Sequence, residues 1–270
     1  MGDIRIIKGD VHRALKSQTL LLSPASAVRE LVQNSVDSGA SEVRIVVDLF
    51  KLKTAVYDNG NGISPNNMNR IGVQHATSKI RALEDLRSLD TYGYRGEALC
   101  SLASVSKITI ASKVKDYNST WVRKFPDAAH IWNSSDQERG EDVNFRMRNF
   151  GIHESGTIAL IEDLLYNVPV RKKYYTNSPH FKMHMAIKKD LFQILVLHPH
   201  IEVVLDIVDE NGRKRNLITS GIIAAEKTTF QKITFAFLHI FGAVVPLESF
   251  KRVAITFKEF QIDGVISKNA

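Results

Sequence analysis

Glu30-Leu31-Val32-Gln33-Asn34-Ser35-Val36-Asp37-Ser38-Gly39-Ala40 is the stretch on which the fold turns. It reads as the later part of a helix that starts at Ser23-Pro24, a capping hydroxyl followed by proline in the first helical position. Gly39 suits the residue just past its C-terminal end. At about 100° per residue, Glu30, Gln33, Asn34 and Asp37 share one side, while Val28, Leu31, Val32 and Ser35 occupy much of the other. A solvated polar face is the commoner origin of such a stripe. This one holds only carboxylates and amides, without the lysine or arginine of the usual exposed i,i+4 pairs. Mg²⁺ takes few ligands from protein, and an amide oxygen at Asn34 suits one of them. A carboxylate one turn earlier, at Glu30, is spaced to activate a water as general base.

Working outward, Val43, Ile45, Val47 and Leu49 recur at a spacing of two, a strand pattern. Ala55-Val56-Tyr57 is a second short strand that runs into Asp58-Asn59-Gly60-Asn61-Gly62-Ile63. These are common turn residues. They also allow a second reading, in which the two glycines let backbone approach a flat ligand and Asp58 accepts a hydrogen bond from an exocyclic amine. Gln74-His75-Ala76-Thr77-Ser78-Lys79-Ile80 combines two hydroxyls with a lysine, an anion-contact set and equally a common loop composition; His75 is given no role. Tyr92-Gly93-Tyr94-Arg95-Gly96-Glu97-Ala98-Leu99 reads as a glycine-rich loop opening a helix, where free N–H groups and the helix dipole favour phosphate. No G-x-x-x-x-G-K-[ST], H-E-x-x-H or C-x-x-C pattern exists in the chain, so a nucleotide site here uses an architecture other than the P-loop.

Lys107 to Ser112 and Thr157 to Glu162 look like further strands, and His180 to Leu197 like a long helix. Beyond Pro199, Ile201, Val203, Leu205 and Ile207 alternate, Asp209-Glu210-Asn211-Gly212 supplies a turn, Phe230 to Phe241 reads as a helix and Val253 to Ile266 as a strand pair. The expected division is therefore a larger α+β domain over 1–199 and a smaller β-rich segment over 200–270.

The chain of 270 residues holds 36 Lys and Arg against 29 Asp and Glu, a net charge of +7 that is compatible with a nucleic-acid partner. Cys100 is the single cysteine, which fits a reducing compartment. No run of about eighteen apolar residues exists, so a membrane-spanning helix is excluded.

Taken in order and spacing, the four elements resemble the GHKL ATPases, which include gyrase B, Hsp90, histidine kinases and MutL. E-L-V-Q-N-S-V-D-S-G-A, D-N-G-N-G-I, H-A-T-S-K-I and Y-R-G-E-A-L together look like MutL in particular, as do Ser155-Gly156-Thr157 and Leu165 to Arg171. The resemblance spans about Ile4 to Lys268. It implies a GHKL (Bergerat) sandwich of helices on a mixed sheet, followed by the start of a ribosomal-S5-like β-rich domain. It also implies ATP and Mg²⁺ as cofactors, with Glu30 as general base and Asn34 as magnesium ligand. Asp58 would bind the adenine amine with Thr157 in support, and Gly60 and Gly62 would floor the adenine pocket. Thr77, Ser78 and Lys79 would line the nucleotide beside a flexible lid, and Gly93, Tyr94, Arg95, Gly96, Glu97, Ala98 and Leu99 would wrap the phosphates.

Leu15 to Gln18, Asp116 to Pro126 and Gln193 to Pro199 are similar to the third eukaryotic MutL homologue of fungi. That likeness implies a nuclear protein, a heterodimer with the first MutL homologue, mismatched or branched DNA as partner, and roles in mismatch repair and meiotic recombination. In the family, a lysine beyond a strand such as Gln261 to Lys268 reaches the γ-phosphate. The chain ends at Ala270, so a truncated second domain is expected, and the alternative is a DNA-binding module without efficient turnover.

Overall fold

In the computed structural model, Ser23 caps the first helix, α1 (Pro24–Asp37). Its Oγ accepts the Ser26 N–H at 3.0 Å, and Ser26 Oγ accepts the Ser23 N–H at 2.7 Å, so two otherwise orphaned donors are satisfied reciprocally. At the other end Gly39 adopts a left-handed φ of 76°, and the Gly39 and Ala40 N–H groups return to the carbonyls of Val36 and Ser35. The structure describes residues 23–71, 98–117, 119–125, 131–133, 154–221, 227–242, 246–257 and 260–267.

The remaining elements are β1 (Glu42–Asp48), β2 (Lys53–Asp58), the single turn α2 (Pro65–Met68), α3 (Ala98–Ala103), β3 (Lys107–Lys113), β4 (Trp121–Phe125), β5 (Ile131–Asn133) and β6 (Gly156–Glu162). They continue with α4 (Pro169–Asn177), α5 (His180–Leu197), β7 (Glu202–Val208), β8 (Lys214–Thr219), α6 (Thr229–Phe241), β9 (Phe250–Phe257) and β10 (Phe260–Ser267). Eight strands form one sheet in the order β5-β4-β3-β6-β2-β1-β7-β8. All neighbours are antiparallel except β1 and β7, which makes the sheet mixed, as expected.

The core lies between this sheet and the helices. Val43, Ile45 and Val47 of β1, Ile108 and Ile110 of β3 and Ile161 of β6 face one way and pack with Val28, Leu31 and Val32 of α1 and Ile187, Leu191 and Ile194 of α5. Period-two strands meeting period-3.6 helices in this way is what makes the alternation in β1 and the apolar side of α1 a single buried layer. On the far face Ala111, Val122 and Ile158 form a small second cluster with Tyr57.

The sheet runs across the division expected near residue 200. β7 pairs in parallel with β1, Val203 opposite Val43 and Leu205 opposite Ile45, and β8 follows by an antiparallel hairpin. Strand alternation shows that a segment has one buried face but not which sheet it joins, and Val203 and Leu205 find theirs under α1 and α5. The large sheet thus continues past residues 199 and 200, and its β8 edge ends at Thr219. A separate two-stranded sheet, β9–β10, begins at Phe250. Its Phe250 ring meets Phe237 of α6 at 5.2 Å, while Ile255, Phe257, Ile262 and Ile266 stand exposed.

Candidate functional site

β2 ends at Asp58, and three elements converge on that carboxyl group. α1 contributes Ser35, whose Oγ donates to Asp58 Oδ2 at 2.8 Å. The loop after β2 contributes the Gly60 N–H, which donates to Asp58 Oδ1 at 3.0 Å. β6 contributes Thr157, directly opposite Asp58 in the antiparallel register, whose backbone N–H also reaches the carboxyl group. Asp58 is only 7% exposed. Burial pushes its pKa above the ordinary carboxylate value of 3.8, and the donors from Ser35, Gly60 and Thr157 oppose that rise without cancelling it. A buried carboxyl group so positioned is a hydrogen-bond acceptor fixed at the end of a strand.

Ser112, fully buried in β3, ties the same loop to the sheet. Its Oγ accepts the Ile63 N–H at 2.8 Å, donates to the Gly156 carbonyl at 2.9 Å and lies 2.9 Å from Thr157 Oγ1. Asn59 holds the other side of the loop, its Oδ1 accepting the Ser41 and Glu42 N–H groups at 2.9 Å each. Gly60 and Gly62 have a structural reason beyond the one read from sequence. A Cβ on Gly60 would overlap Ser38 Oγ at the end of α1, and a Cβ on Gly62, whose φ is 73°, would overlap the Lys113 carbonyl. The glycines permit close packing within the protein itself at these two points.

Along α1 the side chains divide as the helical arc requires. Asn34 is exposed, and Glu30, Gln33 and Asp37 are half-buried. Arg29, outside the stripe, brings its Nη2 to 3.7 Å from Glu30 Oε1. Asn34 precedes Ser35 in sequence, so one helix presents its exposed amide and the hydroxyl on Asp58 from adjacent positions. Ala98 and Leu99 open α3, and Leu99 packs partly buried against the core. Thr77, Ser78, Lys79, Gly93, Tyr94, Arg95, Gly96 and Glu97 lie outside the described residues. Among those described, no group of three or more His, Cys, Asp or Glu could hold a metal ion. A cation here would take most of its ligands from phosphate and water, as Mg²⁺ commonly does.

Of the expected residues, Asp58, Gly60 and Thr157 meet directly, and Glu30 and Asn34 share the helix that supplies Ser35. Ser35 and Ser112 were missed. Ser35 sits among the apolar residues of α1, and a lone hydroxyl on that side is the one sequence signal from which a buried partner could be read.

The chain matches the family described as histidine kinase-, DNA gyrase B- and HSP90-like ATPase over residues 22–150. It is 41% identical over 266 residues to the DNA mismatch repair protein MLH3 of Saccharomyces cerevisiae, covering 98% of this chain and 37% of that protein. It is 37% identical over 172 residues to the MutL protein of Pseudomonas entomophila, covering 63% of this chain and 25% of that one. The chain thus spans about a third or less of the length of these relatives. Among solved structures it is similar to the N-terminal domain of a DNA repair protein, with a TM-score of 0.66 and 22% identity over 97% of this chain and 74% of the other. It is also similar to the Aquifex aeolicus MutL ATPase domain complexed with ADP, with a TM-score of 0.56 and 18% identity over 86% of this chain and 72% of that one. At those identities the structural likeness is one of fold, and the sequence likeness adds the lineage. The chain belongs to the MutL family of GHKL-type ATPases.

Proposed function

We propose that this chain is the ATP-binding and ATP-hydrolysing N-terminal module of a MutL-type protein that works as an ATP-operated clamp on DNA. The observation that carries the reading is the Asp58 carboxyl group, buried at a strand end and held by Ser35, Gly60 and Thr157. Its fixed acceptor suits the exocyclic amine of adenine. Glu30 serves as general base on the attacking water, and Asn34 supplies the protein ligand to Mg²⁺, which would neutralise phosphate charge when bound. Gly60 and Gly62 shape the pocket floor through the loop they allow. Thr77, Ser78 and Lys79, and Gly93 to Leu99, complete the nucleotide contacts.

The assembly follows the likeness to the third homologue: a heterodimer with the first MutL homologue, acting on mismatched or branched DNA in the nucleus, in mismatch repair and meiotic recombination. The two-stranded β9–β10 sheet is the start of the S5-like domain. A second reading, a DNA-binding module without efficient turnover, is favoured by α4, where Arg171, Lys172 and Lys173 lie on a helix with no buried residue.

Mg-ATP binding and hydrolysis, measured with and without the first MutL homologue and DNA, test both. Glu30→Ala should abolish hydrolysis while leaving ATP binding intact, and loss of binding or unchanged turnover removes the base assignment. Asp58→Ala should abolish binding, and retained affinity counts against the adenine role.

A further inference from the structure

At the opposite end of the central strands lies a groove that the nucleotide site does not use. Lys53 begins β2 and Asp58 ends it, so the two ends are separated by roughly 16 Å at about 3.3 Å per strand residue. The groove has a volume of about 470 Å³. Lys51 and Lys53 line it from the β1–β2 hairpin, Lys107 from the start of β3, Lys172 from α4, and Glu162 and Asp163 from the end of β6. Lys53 pairs with Glu162 at 2.8 Å and Lys107 with Asp163 at 2.7 Å. Four ammonium groups against two carboxylates leave an excess of two positive charges. Both ion pairs are solvent-exposed, and such pairs are weak in water, so an incoming anion can compete for their lysines.

Two flat apolar faces accompany the charge. Phe50 lines the groove, is 48% exposed, and is braced edge-on by His180 with ring centroids 4.4 Å apart. Tyr166, 45% exposed, stands in the turn after β6, its N–H donating to the carbonyl of the groove residue Asp163 at 3.0 Å. Exposed aromatic rings beside lysines suit bases that stack while their backbone is neutralised, a combination typical of single-strand binding. Lysines on flexible stems lack the bidentate fork that arginine offers a folded anionic peptide, and they suit a repeating phosphodiester.

We infer that this groove, with Phe50 in its lining and Tyr166 in the adjoining turn, binds single-stranded DNA independently of ATP. The inference rests on the DNA-repair reading for the identity of the polyanion, and on the groove itself for its place.

Fluorescence anisotropy of the full 270-residue chain with a labelled oligothymidylate, across a range of salt, tests it. The wild-type affinity should fall steeply with salt. Lys51→Gln/Lys172→Gln should weaken binding about tenfold and lower the salt slope by about 0.7 for each phosphate contact removed. Phe50→Ala should weaken binding at least about fivefold and Phe50→Tyr should restore it, since stacking tolerates the added hydroxyl. Binding of a fluorescent ADP analogue should be unchanged in all three variants, which establishes that they are folded. If the wild type binds the oligonucleotide and the lysine pair does not alter the affinity or slope, this surface is not the contact and only the inference falls. If blunt duplex binds equally well and Phe50→Ala changes nothing, the single-strand assignment is overturned. If the wild type binds no DNA even at low salt, the DNA reading falls together with it.

Discussion

Ser35 Oγ and Asp58 Oδ2 lie 2.8 Å apart across 23 residues of sequence, joining the first helix to the end of the second strand in a buried hydrogen bond. This contact couples the helix that carries Glu30 and Asn34 to the group assigned to adenine. Under the proposed roles, the two ends of a bound nucleotide would be referred to one corner of the protein.

Ser35→Ala removes a donor from a buried carboxyl group, and an unsatisfied buried polar group costs about 1–3 kcal/mol. Urea denaturation should register a loss of that size. Titration with a fluorescent ADP analogue should also show weaker binding. A variant with undiminished stability would mean that the hydroxyl does not support Asp58.

Asp58→Asn tests the electrostatics. Burial raises the folded pKa of Asp58 above 3.8, so between that value and its folded pKa the native state binds more protons than the unfolded state. Its contribution to stability therefore falls as pH rises through this window, and above the window the loss is complete. The asparagine variant should be at least as stable as wild type at pH 7, with a rise in Tm of about 2–4 °C for each 1 kcal/mol recovered. Its stability should also vary less with pH above 3.8. Thermal melts across that range decide the matter, and a lower Tm at pH 7 would contradict it.

Gly62→Ala and Gly212→Ala separate two costs. Both glycines have left-handed φ, 73° and 78°, so each substitution carries a backbone strain on the order of 1–2 kcal/mol. A Cβ at 212 meets nothing within 4 Å, whereas one at 62 overlaps the Lys113 carbonyl. Gly62→Ala should be the more damaging by a clear margin in chemical denaturation, and it should impair ADP binding where Gly212→Ala does not. Equal losses would rule out the overlap as the reason for glycine.

Ser112→Ala cuts the Ile63, Gly156 and Thr157 contacts together, whereas Thr157→Val removes only a hydroxyl and leaves the backbone N–H on Asp58. The serine variant should lose more stability, about 1–3 kcal/mol, and more nucleotide affinity. Nearly equal effects in calorimetric titration would show that the loop does not depend on Ser112.

The helix and strand boundaries were legible because their signals are local. The Ser23-Pro24 start, the Gly39 stop and the alternation of Val43, Ile45 and Val47 each depend on neighbours within a turn or a pleat. Asp58 and Gly60 stand out in the sequence as a strand-end turn, whereas Thr157 enters only through the family resemblance. The sheet that Ile201 to Ile207 joins was not legible, because these residues would alternate in any half-buried strand, and only the parallel pairing with β1 assigns them to the large sheet.

By itself, then, the amino-acid order determined the elements, the four motifs and the lineage, since these follow from local stereochemistry and from residue identity. Tertiary structure alone decided that Ser35, on the apolar side of its helix, turns its hydroxyl to Asp58, and that Ser112 pins the glycine loop. It also decided that Gly60 and Gly62 are needed against Ser38 and Lys113. Those contacts join residues tens of positions apart, and a hydrogen bond or a steric overlap exists only once packing has brought its two partners within a few ångströms.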